Sequence, residues 1–362
     1  MMKVRGMMII SFLVLSGLIK AQETISAEFQ SDAWEIQAKK HQFKKYKGQQ
    51  ALYLENGKAR LKNSSFKEGI IEYDVSFTGK RNFVGVHFRI QDTLNYEEYY
   101  LRPHQSGNED SMQYTPVING DAGWQLYTGE GHWAAFAYRF GEWMHVKLNV
   151  SGGRMDVFID DMETPILHVD ELKLKPTAGA LGFGTFLGDA YYANLSYREL
   201  ENPALVTTTT KTRVAEKGTI LDWEVSNAFA SEKIKSILAL SDLDLGTYRK
   251  IKPEPSGTVN LSTVSPISEA TNTVVARFSV QSDSDQIKEL QFGYSDIVTV
   301  FVNGTPVYSG NNSFRTRDYR YLGSLGYFDA IYLNLKKGAN EIAFAVTERM
   351  GGWGIKAKMV RD

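Results

Sequence analysis

The chain has 362 residues, with 41 Lys and Arg against 42 Asp and Glu, 19 Phe, 19 Tyr, 6 Trp, 6 His and no Cys. That length supplies one large domain or two ordinary ones, each able to bury a core without staples. The missing cysteines exclude thiol catalysis, cysteine zinc sites, iron–sulfur clusters, disulfides and a lipid-tethering cysteine, and the balanced charge offers no basic surface for nucleic acid.

The first element in chain order is Lys3 and Arg5, then the apolar run 7–19, then Lys20-Ala21. A basic start, an apolar centre and a small residue make the pattern of a secretory signal. The run is too short for a bilayer, which takes about 20 residues. Residues 1–21 are assigned to this signal, with cleavage after Ala21 or, in second place, Ala27. Cleavage at Ala21 leaves 38 basic and 42 acidic residues, a net charge of −4. The expectation is an exported chain, periplasmic or extracellular, not a lipoprotein and without a membrane span.

Residues 22–202 read as a first domain, strand after strand. In 69–77 (GIIEYDVSF), Ile71, Tyr73, Val75 and Phe77 alternate with Glu72, Asp74 and Ser76. Segments 82–90 and 142–150 alternate likewise, and Ser151-Gly152-Gly153 marks a hairpin before 154–161. Two further strands are predicted at 179–186 and 190–200. Period-two alternation with Gly, Asn and Asp punctuation predicts an antiparallel sandwich. Glu72 and Asp74 read as solvated carboxylates on an outward face. A short linker is predicted over 203–212, across the four threonines 207–210. Residues 213–362 form a second β domain, with strands at 275–280, 296–310, 330–335 and 340–346. Asn303-Gly304 is a strong hairpin signal there. The sole helix candidate is 231–240, with Ile234, Ile237 and Leu238 at helical spacing, or else a loop with an apolar anchor. The fold class is all-β: two β-sandwich (jelly-roll) domains.

The segments "GIIEYDVSF", "FVGVHFRIQD", "EWMHVKLNVSGGRMDVFIDD" and "AYYANLSY" resemble the concanavalin A-like, laminin-G-like jelly roll, and are similar to the bacterial 3-keto-glycoside hydrolase-like group. "DIVTVFVNGTPVYSG", "AIYLNLKKGANEIAFAV" and "GGWGIKA" resemble a galactose-binding-like β-sandwich. These resemblances imply a carbohydrate partner. Laminarinase-type enzymes on this jelly roll carry Glu-x-Asp-x-Glu. Here Glu72, Asp74 and Ser76 stand in that frame, so the acid/base glutamate is replaced.

The richest polar and aromatic stretch is 83–133. With Val84, Val86 and Phe88 turned to the core, His87 and Arg89 face away, beside Glu98, Tyr100, Arg102 and His104. Gln113, Tyr114, Trp124 and Tyr127 extend this face, and Asn108, Glu109 and Asp110 border it. Aromatic rings stack on the apolar faces of sugars, while Arg, His and amides pair with hydroxyls. The expected function is glycan binding on the concave face of the first domain. The alternatives are glycoside hydrolysis, with Glu98, Asp110 or His104 as acid/base, and a structural protein of the cell envelope. No cofactor is expected. Loop aspartates Asp110, Asp121, Asp160 and Asp161 would suit calcium. In the second domain, Phe314, Arg315, Arg317, Arg320, Tyr319 and Tyr321 form a basic aromatic run, read as a sugar-contacting loop or, by preference, as the patch that docks on the first domain; Glu348, Arg349 and Trp353 are a second notable group. A partner protein for this domain is a further expectation.

Overall fold

The computed structural model describes residues 23–208 and 213–360. The signal segment and positions 209–212 lie outside the described residues. Among the described residues the regular structure is nearly all antiparallel strand, with a few single-turn 3-10 segments. No helix among them is long and apolar enough to cross a membrane.

The first domain is a jelly-roll sandwich. Strands Phe83–Ile90, Tyr96–Leu101 and Met112–Ile118 pair in order on one side. Gly69–Ser76, Met144–Ser151, Arg154–Ile159 and Leu167–Val169 pair on the other. Alternate residues of both layers meet in one core: Val84, Val86, Phe88, Tyr99 and Leu101 against Ile71, Tyr73, Val75, Val146 and Leu148. The two strands expected at 179–186 and 190–200 are one, Ala180–Glu199. It pairs with Phe83–Ile90 at its start and Gly69–Ser76 at its end. An irregularity between Thr185 and Asp189, with Leu187 at φ 62°, turns it from one layer to the other. Such a bulge bends a strand by adding unpaired backbone.

A long hairpin, Trp34–Tyr46 with Gln49–Leu61, joins this strand and was not among the expected elements. Its lysines disguise the alternation: Lys39, Lys40, Lys44 and Lys45 replace the polar–apolar rhythm with a mostly solvated strand. Asp74 is not the solvated group expected. It is buried on the outer side of its layer and accepts from Gln49 Nε2 at 2.9 Å and Asn194 Nδ2 at 2.7 Å, with His145 Nδ1 at 2.6 Å.

The second domain packs a six-stranded against a four-stranded sheet around Trp223, Phe278, Phe292, Phe344 and the fully buried Trp353. Asn303 and Gly304 take φ of 49° and 80° between Ile297–Val302 and Thr305–Asn311, the backbone a tight hairpin turn demands. The helix candidate at 231–240 is corrected: only a 3-10 turn, Ser231–Ser236, forms. Ile234 and Ile237 instead anchor the segment against Phe229 and Leu240, because too few helical bonds form to outweigh that packing. The described part of the linker follows the first domain. Asn149 Nδ2 donates to Ala204 O at 2.9 Å, and Val206 N and Thr207 N donate to Asp156 Oδ2 at 2.8 and 3.1 Å.

The domains meet along a polar seam. Gln125 N donates to Gly351 O at 2.7 Å. Its amide donates to Leu322 O at 2.9 Å and accepts from Ser295 Oγ at 2.9 Å. Tyr127 Oη donates to Glu254 Oε1 at 2.5 Å, and Ser262 Oγ donates to Asp121 Oδ2 at 2.5 Å. Gly352, at φ 133°, lets the chain pass so close that a Cβ would lie 2.9 Å from Leu126 Cγ and 3.1 Å from Gly123 Cα.

A cleft between the jelly-roll face and the second domain

The outer face of Phe83–Ile90, Tyr96–Leu101 and Met112–Ile118 floors a cleft of about 1160 Å³. Loops of the first domain supply one wall, and Phe314, Arg315, Leu322, Arg349 and Met350 of the second domain supply another. At the centre of the floor, His87 Nε2 lies 3.2 Å from Glu98 Oε1. Two glycines make this pair possible. A Cβ on Gly184 would lie 2.6 Å from His87 Cε1, and one on Gly85 would lie 3.0 Å from Glu98 Oε1. The Tyr96 ring lies 4.6 Å from the His87 ring, and its hydroxyl accepts from Lys58 Nζ at 2.6 Å.

Next along the floor, Arg102 holds a buried network. Its Nη1 donates to Asp110 O at 3.0 Å and Asp110 Oδ2 at 3.1 Å, and its Nη2 donates to Tyr100 Oη at 2.8 Å and to Gln113 Oε1. Tyr100 Oη donates in turn to Gln113 Oε1 at 2.6 Å. Burial, against the opposing Arg102 guanidinium, pushes the Tyr100 phenol up to about 12. His104 packs edge-on to Phe83 with centroids 5.2 Å apart. Burial first, and then the Arg81 charge, hold its imidazole below the ordinary value. At the rim, Trp124 and Phe314 meet edge to face across the two domains at 6.1 Å, and Phe186, Leu187 and Met350 stand exposed.

Of the eleven residues expected to bind or act on the ligand, seven line this cleft together: His87, Glu98, Tyr100, Arg102, His104, Asp110 and Trp124. Four do not. Arg89 is buried on the core side, donating to Lys67 O and Gly152 O at 2.7 Å each. Gly182 pairs with His87 but Ala180 with Ile90, so one extra residue enters the strand at Phe88-Arg89. Arg89 takes φ 52° there and leaves the alternation. Tyr114 also faces the core. It stands opposite Tyr99 and donates to the buried Glu97 Oε2 at 2.7 Å; residues 113 and 114 cannot share one face of a strand. Gln113 lies behind Tyr100, its amide donating to Trp124 O at 2.8 Å and Tyr127 O at 2.5 Å. Tyr127 belongs to the domain seam.

Sequence reasoning did not reach Lys58, Tyr96, Phe186, Leu322 or Met350. Of the basic aromatic run, Phe314 meets Trp124 across the domains and lines the cleft with Arg315, while Arg317 and Arg320 pair with Asp329 and Asp318 inside the second domain. Arg349 stands beside Glu348 and Trp353, a group that is notable in the sequence, whereas nothing local marks Met350. The aspartates considered for calcium are otherwise engaged: Asp110 with Arg102, Asp121 across the seam, Asp160 with Arg139, and Asp161 with the amides of Glu163 and Thr164. Among the described residues, no group of three or more His, Asp or Glu side chains is arranged to hold a metal ion.

Of the carboxylates that line the cleft, Glu98 is paired with His87 and Asp110 with Arg102. Asp121 accepts from Ser262 Oγ and Trp353 N, and burial holds its carboxyl above the usual range.

No family model matches the chain, and no curated protein matches it. Among solved structures, the chain is similar to the carbohydrate-binding module CBM66 from Bacillus subtilis, at 14% identity over 46% of this chain and 95% of that one, with a TM-score of 0.36. It is similar to a Bacillus licheniformis beta-glucanase at 8% identity, over 50% and 100% of the two chains, TM-score 0.36. It is likewise similar to a laminarinase from Flavobacterium sp. UMI-01 at 8% identity, over 48% and 95%, TM-score 0.35.

Proposed function

We propose that the chain is a glycan-binding protein that holds an oligosaccharide in the cleft between its two domains. The observation that carries this reading is the composition of one cleft. A floor of fixed donors and acceptors, His87, Glu98, Tyr96 and Arg102, lies under a rim of aromatic side chains, Trp124, Phe314 and Phe186. At about 1160 Å³ the space exceeds a drug-sized pocket, typically about 300–1,000 Å³, and has room for more than one sugar ring. Binding is preferred to hydrolysis because the cleft's carboxylates already serve as partners to His87, Arg102 and the seam. The basic and apolar start of the chain supports export of this binder.

The test is calorimetry and a glycan array on the chain lacking residues 1–21, with product analysis run in parallel. Retention of a glycan without product, weakened at least tenfold in Trp124→Ala, is the expected result. Release of shortened sugars, lost in Glu98→Gln, would move the reading to a hydrolase. Retention of no glycan at all would overturn it.

A further inference from the structure

The charges around the cleft do not cancel. Three carboxylates line it, Glu98, Asp110 and Asp121, against five cations, Lys58, Arg81, Arg102, Arg315 and Arg349. Arg102 is consumed by Asp110. Glu98 is met by His87 and lies within electrostatic reach of Lys58. Asp121 is buried in the seam and held toward its neutral form. That leaves Arg81, Arg315 and Arg349, all exposed and none in an ion pair among the described residues. Arg315 lies over the Phe314 ring at 4.9 Å. Arg349 donates its backbone N to the buried Asp296 Oδ2 at 3.1 Å, while its guanidinium makes no ion pair with that carboxylate. The three guanidiniums come from a loop of the jelly roll and from two separate loops of the second domain. All three residues line the one cleft although they are far apart in sequence.

Several exposed arginines elsewhere in the chain sit in ion pairs, though Arg249 donates only to Val264 O. Arg60 pairs with Glu35, Arg139 with Glu142 and Asp160, and Arg320 with Asp318. Arg81, Arg315 and Arg349 make no such ion pair among the described residues. A planar guanidinium free of a protein carboxylate is disposed to take a bidentate oxyanion from a ligand. A positive opening also steers an anionic polymer toward it.

We propose that the glycan taken by this cleft is a polyanion, a polysaccharide bearing carboxylate or sulfate groups. Its acidic substituents rest on Arg81, Arg315 and Arg349, and its ring faces on Trp124 and Phe314. This rests on the reading of the cleft as a glycan site and adds the chemical class of the glycan.

The experiment compares polymers that differ in charge alone. Polygalacturonate is set against its fully methyl-esterified form, and a sulfated galactan against its desulfated form, by calorimetry at low and high salt. Poly-glutamate serves as a polyanion without sugar. The variant combines Arg81→Gln, Arg315→Gln and Arg349→Gln, with circular dichroism melts confirming that it folds. The expected result is at least tenfold tighter binding of one acidic polymer than of its neutral twin. That preference weakens with salt and disappears in the triple variant. Whether the carboxylated or the sulfated pair shows it identifies the source of the oxyanion. Equal affinity for the neutral twin, or a preference that survives in the triple variant, would overturn the inference while leaving glycan binding intact. Equal retention of poly-glutamate would reduce the patch to simple ion exchange and overturn it too. Failure of every polysaccharide would remove both readings.

Discussion

At the scale of the residue, the cleft depends on groups that hold one another in place. Arg102 is 4% exposed and satisfies Asp110, Tyr100 and Gln113 together. Removing one partner of a buried ion pair leaves the other charge without compensation, at a cost of about 3–5 kcal/mol. Arg102→Ala is therefore expected to lose stability on that scale in urea titrations, along with glycan binding. Gly184 makes the opposite demand, for empty space. Its missing Cβ is occupied by the His87 ring at 2.6 Å, so Gly184→Ala must push the imidazole off Glu98. Overpacking of this kind costs about 1–3 kcal/mol, and at least a tenfold loss of affinity is expected with it. A Gly184→Ala protein that binds and melts as the parent does would show that the His87–Glu98 pair is not part of the site.

At the scale of the element, period-two alternation explains most of what the sequence discloses. It puts Val84 and Val86 inside, and His87, Glu98 and Tyr100 on one outward face, because the strands there are regular. It fails at Arg89, where an inserted residue and a left-handed backbone reverse the parity. A one-residue slip sends every later side chain to the other face, and nothing in "HFRI" announces it. It fails differently for Phe314, Arg315 and Arg349, whose approach to the floor is a matter of domain docking, not of local periodicity. The strand Ala180–Glu199 shows what an irregularity does to the cleft. Its bulge pushes Phe186 out at 58% exposure and Leu187 at 48%, both against the cleft. Phe186 has little burial to lose, so Phe186→Ala is expected to change stability by less than about 0.5 kcal/mol. The same substitution removes a stacking surface, and a severalfold loss of glycan affinity in calorimetry is the matching expectation. A stability loss without an affinity loss would assign Phe186 to packing instead.

At the scale of the whole molecule, the site exists only while the two sandwiches stay docked, and the seam carries a titratable strain. Glu348 is 1% exposed and Asp296 2% exposed. Glu348 Oε1 accepts from Gly352 N at 3.2 Å, and Asp296 Oδ2 accepts from Arg349 N at 3.1 Å. Glu348 Oε2 and Asp296 Oδ1 have no partner. Burial, and then the charges of Asp296 and Asp121, hold the Glu348 carboxyl well above its ordinary 4.5. Burial also raises Asp296 to about 6. An acid whose pKa is higher folded than unfolded binds more protons in the folded state. Its contribution is complete below the unfolded value and is lost as pH rises through the folded one. The seam is thus expected to tighten on acidification from pH 8 toward pH 5. Glu97 in the first domain, raised to about 7 by burial, acts in the same sense. His132, lowered to about 3 by burial, acts against them once pH falls below the ordinary histidine value. Glu348→Gln separates the seam from these other groups. The amide mimics the protonated acid, so the variant should exceed the parent in stability at pH 8 by on the order of 1 kcal/mol or more. The two should converge near pH 5, in urea titrations at pH 5, 6.5 and 8. Parallel pH profiles for parent and variant would exclude Glu348 as a source of the strain, and a variant weaker at pH 8 would reverse the sign assigned to it.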